Sequence, residues 1–201
     1  MFSKEEAANA KERYIKLLRS TERPNIDELI DYLSEHDFFE APSSSRYHSA
    51  FKHGLLFHSL NVYDSLVKIY NALKDNLKNT IKPDSLVIAA LLHDICKVDF
   101  YVTEKRNKKI DGLWQEVEVY TIKDTFPAGH GEKSVMLAQR YIKLTKAEML
   151  AIDWHMGGFD IRCGDYQGKT AISNAMEMVP LVSLLQMADV NATYLMETRD
   201  D

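Results

Sequence analysis

Six imidazole and carboxylate side chains surface along this chain about once per predicted helix: His58, the adjacent pair His93-Asp94, His130, His155 and Asp189. The pair constrains the fold most. It closes the apolar run Leu86-Val87-Ile88-Ala89-Ala90-Leu91-Leu92, so a core-forming helix ends by pointing out two polar groups whose burial without partners would be costly. Any one of these histidines alone reads as a surface or capping residue. The series as a whole reads as a metal centre. Imidazole nitrogen and carboxylate oxygen suit Mn, Fe, Co, Ni and Zn, and six such ligands exceed what one mononuclear site takes up while leaving room for water. A two-metal site with one bridging carboxylate is the expectation.

With 201 residues and 45% hydrophobic content, the chain can bury a proper core and is expected to form a single domain over residues 1–201. The start, Met1-Phe2-Ser3-Lys4-Glu5-Glu6, is charged, and no apolar run approaches the roughly 18 residues of a membrane span. A soluble, cytoplasmic protein without a membrane partner is expected. Cys96 and Cys163 stand apart with no CxxC pairing, which points to neither a disulfide framework nor a thiolate zinc site. A net charge of −5 argues against strong binding of long nucleic acid, which needs a basic footprint. Small anionic substrates stay compatible, because bound metal ions dominate their local field.

Helical signals dominate. Ser3 with Glu6, Asn25 with Glu28, and Thr145 with Glu148 each have the spacing of a capping box. The segment after Gly54 carries Leu55, Val62, Leu66, Ile69 and Leu73 at helical spacing, which predicts a long helix with His58 in its first turns. Pro83 opens the next helix, which carries His93 and Asp94 at its end. Helices over about His130–Leu144, Lys146–Met156 and Val179–Met196 complete the set. One stretch differs. Phe100–Thr103 and Trp114–Ile122, rich in β-branched and aromatic residues with Asp111-Gly112 between them, predict a β-hairpin inserted at about 99–123. The basic run Glu104–Lys109 is read as its connecting tip, either simply solvated or a flap that attracts a phosphate-bearing substrate. Gly157–Gly168 reads as a loop beside the site.

These residues resemble the HD-domain superfamily of metal-dependent phosphohydrolases. His53-Gly54-Leu55-Leu56-Phe57-His58-Ser59 is similar to the His-Gly-Leu-x-x-His-Ser/Thr start of HD-type bacterial 3′-5′ exoribonucleases and related hydrolases. His93-Asp94-Ile95-Cys96-Lys97 is similar to the family's His-Asp-x-Gly-Lys, with Cys96 in the glycine position, and Ala188-Asp189 supplies the last element. The resemblance runs from about Phe51 to Thr193. It implies an all-α HD-domain helical bundle with a small β-hairpin insertion and a core at about 51–197.

Carried over position by position, the resemblance has His58, His93, Asp94 and Asp189 hold one metal, while Asp94 bridges to a second held by His130 and His155. Both ions would be divalent transition metals, and the nucleophile would be hydroxide, since a water shared by two such ions is acidified towards neutrality. Lys97 corresponds to the family's lysine that steadies phosphate or an outer carboxylate, giving it a catalytic and substrate-binding role against the plainer reading of a helix-end lysine. His53 is five residues before His58 and cannot share a helical face with it. It is read either as a substrate-binding residue in the preceding loop or as a structural hydrogen-bonding one. Cys96 reads as an inert buried thiol, Trp154 as core or pocket wall, and His36 and His48 as surface residues.

The expected activity is hydrolysis of a phosphomonoester or phosphodiester in a small phosphorylated substrate, a nucleotide or short oligonucleotide. Two other uses of the fold remain open: a di-iron oxygenase with the same ligand order, and a non-catalytic nucleotide-sensing module. The oligomeric state is not legible in the sequence.

Overall fold

The computed structural model describes residues 2–47 and 49–197, so the reading of His48 lies outside the described residues. Helices α1 (Lys4–Arg19), α2 (Ile26–Glu35), α3 (Gly54–Asn71), α4 (Asp75–Lys78) and α5 (Pro83–Leu92) lead to a 3-10 turn at Ile95–Lys97. Strands β1 (Tyr101–Ile110) and β2 (Leu113–Ile122) follow, then α6 (His130–Ala138), α7 (Lys146–Asp153), α8 (Tyr166–Met178) and α9 (Pro180–Asn191), which passes into a π turn at Ala192–Met196. The chain is therefore helical with one antiparallel hairpin among the described residues. No single helix among them is long and apolar enough to cross a membrane.

The core explains the arrangement. Helix α5 is apolar all round and lies in the centre, with Leu86 to Leu92 all buried, as expected of a helix covered on every side. Helices α3, α7 and α9 pack around it, and α1 closes the layer through Tyr14, whose hydroxyl donates to Leu91 O at 2.6 Å. That bond satisfies one of the carbonyls that a helix C-terminus leaves without a partner.

Two of the three expected capping boxes form. Ser3 accepts from Glu6 N and Thr145 from Glu148 N, with both glutamates reaching back. The third does not. Asn25 sits in the left-handed region at φ 63°, so its side chain makes no cap bond, although α2 still starts at Ile26. The basic run is also placed differently: Glu104–Lys109 lies inside β1, and the connection is the two-residue turn Asp111-Gly112. Both turn residues have positive φ, 50° and 83°, the twist that a two-residue hairpin favours. Lys105 pairs with Glu116 across the ribbon at 2.7 Å.

Three helices are shorter than their apolar patterns suggest. Helix α6 stops at Ala138 because the next bonds, Arg140 N to Leu137 O and Tyr141 N to Ala138 O, tighten to three-residue spacing. Helix α7 stops at Asp153, leaving Trp154 and His155 in a turn, and α9 gives way to the π turn. Helix α8 was not legible as a helix. The glycine-rich stretch before it is only partly loop, with short 3-10 turns at Gly157–Phe159 and Ile161–Gly164, after which Asp165 caps α8 by accepting from Gly168 N at 2.8 Å.

Candidate metal centre

The six ladder residues arrive from six places along the chain. His58 projects from the second turn of α3, whose start requires Gly54: a Cβ there would stand 1.9 Å from Ser49 O. His93 caps α5, and Asp94 begins the 3-10 turn. His130 opens α6, His155 follows α7, and Asp189 is on α9. Helices α6 and α7 approach so closely at Gly131 that a Cβ would meet Asp153 O at 2.0 Å. Glycine at that position lets His130 and His155 come together, with ring centroids 5.3 Å apart.

The four histidines converge on Asp94, and its two oxygens divide them. Oδ2 stands 3.5 Å from His58 Nε2 and 3.4 Å from His93 Nε2. Oδ1 stands 2.7 Å from His130 Nε2 and 3.6 Å from His155 Nε2. Asp189 Oδ1 lies 3.3 Å from His58 Nε2. His93 and His155 belong to one group of candidate ligands with Asp189, and His58, His93 and Asp94 form another. His58, His93, Asp94 and His155 are buried, whereas His130 and Asp189 keep 32% and 17% of their side chains exposed. The centre is therefore open to solvent on their side.

Tautomers follow from the partners of Nδ1. His93 Nδ1 faces Ala90 O at 2.8 Å, and His155 Nδ1 faces Ile152 O at 2.7 Å. A carbonyl oxygen only accepts, so each Nδ1 carries the hydrogen and each Nε2 presents a lone pair inward. Yet His93 Nε2 and His58 Nε2 stand only 3.2 Å apart with carboxylate oxygens beside them. Lone pairs and carboxylates converging in a buried space draw in a cation, either a proton on His58 or a metal ion. Two donors bound about 2.0–2.2 Å from one ion would stand roughly 3–3.5 Å apart; the separations among His58, His93, Asp94 Oδ2 and Asp189 fit that range, whereas His130 Nε2 at 2.7 Å from Asp94 Oδ1 is in direct hydrogen-bond contact with it.

The electrostatics have the same cause. Burial opposes a charge on His58, but hydrogen bonds to Asp189 and Glu197 outweigh it and hold the imidazolium up to about 10. Burial likewise opposes the Asp94 carboxylate, but Lys97, His93 and the hydrogen bond with His130 keep its carboxyl well below the usual range. Burial lowers His130 despite its bond to Asp94, while for His155 the Asp94 carboxylate prevails and the shift is upward.

Lys97 places Nζ 2.6 Å from Asp94 Oδ2. Buried in a 3-10 turn, it is an ion-pair partner of the central carboxylate rather than a solvated helix-end lysine. Cys96 Sγ lies 3.4 Å from His130 Nδ1. It forms a third ligand-bearing group with Asp94 and His130, but burial and Asp94 push its thiol up to about 12, which keeps it a poor anionic ligand. His53 is not in any of these groups. It is the N-cap residue of α3 at φ 72°, holds Phe39 O through Nδ1 at 2.7 Å, and lines a separate groove of about 690 Å³ with His36, Lys52 and Asp99. His36 there faces Asp99 at 2.5 Å. Trp154 is buried under the Arg162 guanidinium, 3.8 Å from its ring.

One residue of the site has no counterpart in the sequence reading. Glu197 reaches His58 Nδ1 at 2.9 Å from beyond the π turn. It lies eight residues after Asp189, in a charged stretch with no pattern to single it out.

Fold and site thus define a helical domain with one β-hairpin, whose histidine and aspartate clusters can hold a divalent metal. The HD domain model matches residues 55–193, more than half of the sequence, and the chain belongs to the HD domain family. Over 83 residues, 41% of this chain and 31% of the relative, it is 28% identical to dihydroneopterin 2′,3′-cyclic phosphate phosphodiesterase of Methanocaldococcus jannaschii. Over 96 residues, 48% of this chain and 29% of the relative, it is 30% identical to the 3′-5′ exoribonuclease YhaM of Listeria welshimeri. The matched part spans about three tenths of each of these curated relatives. No solved structure matches the chain. Family and relatives together support a metal-dependent phosphohydrolase as the general class.

Proposed function

We propose that this chain hydrolyses a phosphoester in a nucleotide or short oligonucleotide at a centre holding two divalent ions. The observation that carries the reading is the division of Asp94, one oxygen towards His58 and His93 and the other towards His130 and His155. A bridging carboxylate has this placement. His58, His93, Asp94 and Asp189 would hold one ion; Asp94, His130 and His155 would hold the other. Bound there, divalent ions supply an acidified water and neutralise charge on a phosphoryl group.

The protein's own part is positional. Backbone carbonyls fix His93 and His155, and burial of four of the six side chains keeps bulk water from competing for them. Substrate would enter on the side of His130 and Asp189. Lys97 is assigned the catalytic role of holding Asp94 and adding positive charge beside the phosphoryl group. The substrate role read for His53 has less support, because its ring is tied to Phe39 O. Both relatives act on phosphodiesters according to their names, one a cyclic phosphate and the other RNA, which favours a phosphodiester.

The test loads chelator-treated protein with Mn²⁺ and screens 2′,3′-cyclic nucleotides, mononucleotides, dinucleotides and short single strands. Phosphate or nucleotide release is expected with the wild type and is expected to disappear in Asp94→Ala, which should retain neither ion. His130→Ala should lose mainly one. A wild type that binds two ions and turns over none of these, or that consumes O₂ without releasing phosphate, would overturn the hydrolase reading.

A further inference from the structure

We propose that Glu197 is a positioning residue that fixes His58 with its proton on Nδ1 and its Nε2 facing Asp94, His93 and Asp189; this rests on the metal reading above. The geometry is specific. Glu197 Oε1 is 2.9 Å from His58 Nδ1 and accepts from Asn61 Nδ2 at 3.1 Å, while Oε2 accepts from Ser49 Oγ at 2.7 Å. The carboxylate side chain is only 5% exposed. It is thus anchored by the loop before α3 and by α3 itself, on either side of the histidine it holds.

The backbone is shaped to deliver it. Asp189 and Glu197 come from consecutive stretches of chain yet contact opposite nitrogens of one imidazole, 3.3 Å from Nε2 and 2.9 Å from Nδ1. In a continuing α-helix a residue eight positions on would stand about 12 Å further along the axis. The chain instead widens into the π turn, closed by Glu197 N to Ala192 O at 3.0 Å. Such π segments are uncommon and concentrate at functional sites. Among the described residues the other two buried histidines, His93 and His155, take their Nδ1 partner from a carbonyl three residues back in their own turn. His58 lies inside α3, where the carbonyls of the preceding turn serve the helix, so its partner has to come from elsewhere. A carboxylate in that place orients the ring and raises its basicity as a ligand, and loss of such a partner typically weakens metal binding by about 10- to 100-fold.

Zinc titration of chelator-treated protein tests this without any turnover. Glu197→Ala should bind zinc about 10- to 100-fold more weakly, and Glu197→Gln, which keeps an accepting oxygen without the charge, should fall between it and wild type. Long-range 1H–15N correlation on the zinc-loaded protein adds a readout that a merely structural residue would not move: His58 should carry its proton on Nδ1 in the wild type and in Glu197→Gln, and lose that definition in Glu197→Ala. If the alanine variant does not fold, the glutamine variant decides through its affinity. A folded variant that binds zinc within twofold of wild type overturns the role of Glu197 alone, whereas a wild type that binds no divalent ion overturns the metal reading beneath it.

Discussion

At the scale of the residue, the position of Lys97 decides what its removal should do. Its ammonium is on Asp94 Oδ2, the oxygen that faces His58 and His93. Burial opposes its charge, but Asp94 overrides this and holds Lys97 protonated, well above the ordinary lysine range. Replacing it with methionine keeps the apolar stem, removes a cation that competes for Asp94, and so should leave metal affinity equal or tighter. Turnover should nevertheless fall about 10- to 1000-fold, the scale of one lost electrostatic contact to a charged transition state, with partial recovery in Lys97→Arg. Metal content and kcat measured side by side check this. Lys97→Met with wild-type turnover would reduce Lys97 to packing. In the sequence, Lys97 was singled out by the motif resemblance and the six ladder residues by their residue type and recurrence. Glu197 was not, because a carboxylate that acts through another side chain follows no spacing rule and is placed only by the fold.

At the scale of the element, capping patterns were legible to the extent that backbone conformation allowed. Ser3 and Thr145 are extended residues whose hydroxyls point back at the helix start, whereas Asn25 is left-handed and its amide cannot. Helix α8 escaped because its glycine and its largely exposed face weaken the helical period. The hairpin's strands were recognisable by composition, but a run of lysines looks like a loop until pairing with β2 sets the register. The Thr145 box also does something no local pattern reveals. Its Glu148 is fully buried and accepts from Arg23 at 2.5 Å and from Ser85 Oγ at 2.6 Å, while Arg23 also holds Asp84 at 2.7 Å. This knot ties the α1–α2 connection to the starts of α5 and α7. Arg23→Ala would leave a buried carboxylate without its cation, and the expected cost is about 3–5 kcal/mol. Arg19→Ala removes an exposed pair with Asp27 and should cost under about 1 kcal/mol. Urea unfolding of both variants in chelator measures the difference; equal losses would mean that the buried knot contributes no more than a surface pair.

At the scale of the whole molecule, the bundle assembles groups of like and opposite charge that are far apart in sequence, so its stability must depend on pH and on metal together. His58 ordinarily titrates near 6.5 and is held to about 10 in the fold. A group raised on folding contributes stability that is fully present below its unfolded value and is lost as pH rises through its folded value. Asp94 and Asp189 are shifted the other way, so their contribution is present above the ordinary carboxylate range and is lost on acidification. His130, lowered by burial, adds to the loss on the acid side below about 6.5. The metal-free protein should therefore be less stable at pH 9–10 than at pH 6.5. A divalent ion held there would take the place of the His58 proton, which should remove that alkaline decline and release about one proton on binding at pH 8. Thermal unfolding across pH, with chelator and with zinc, together with titration calorimetry in buffers of different ionisation enthalpy, reads both effects. His58→Gln in chelator should lack the alkaline slope. A metal-free wild type whose melting temperature stays level from pH 6.5 to 10, with no proton released when zinc binds, would show that His58 is already neutral among its carboxylates and that the centre is not held together by charge.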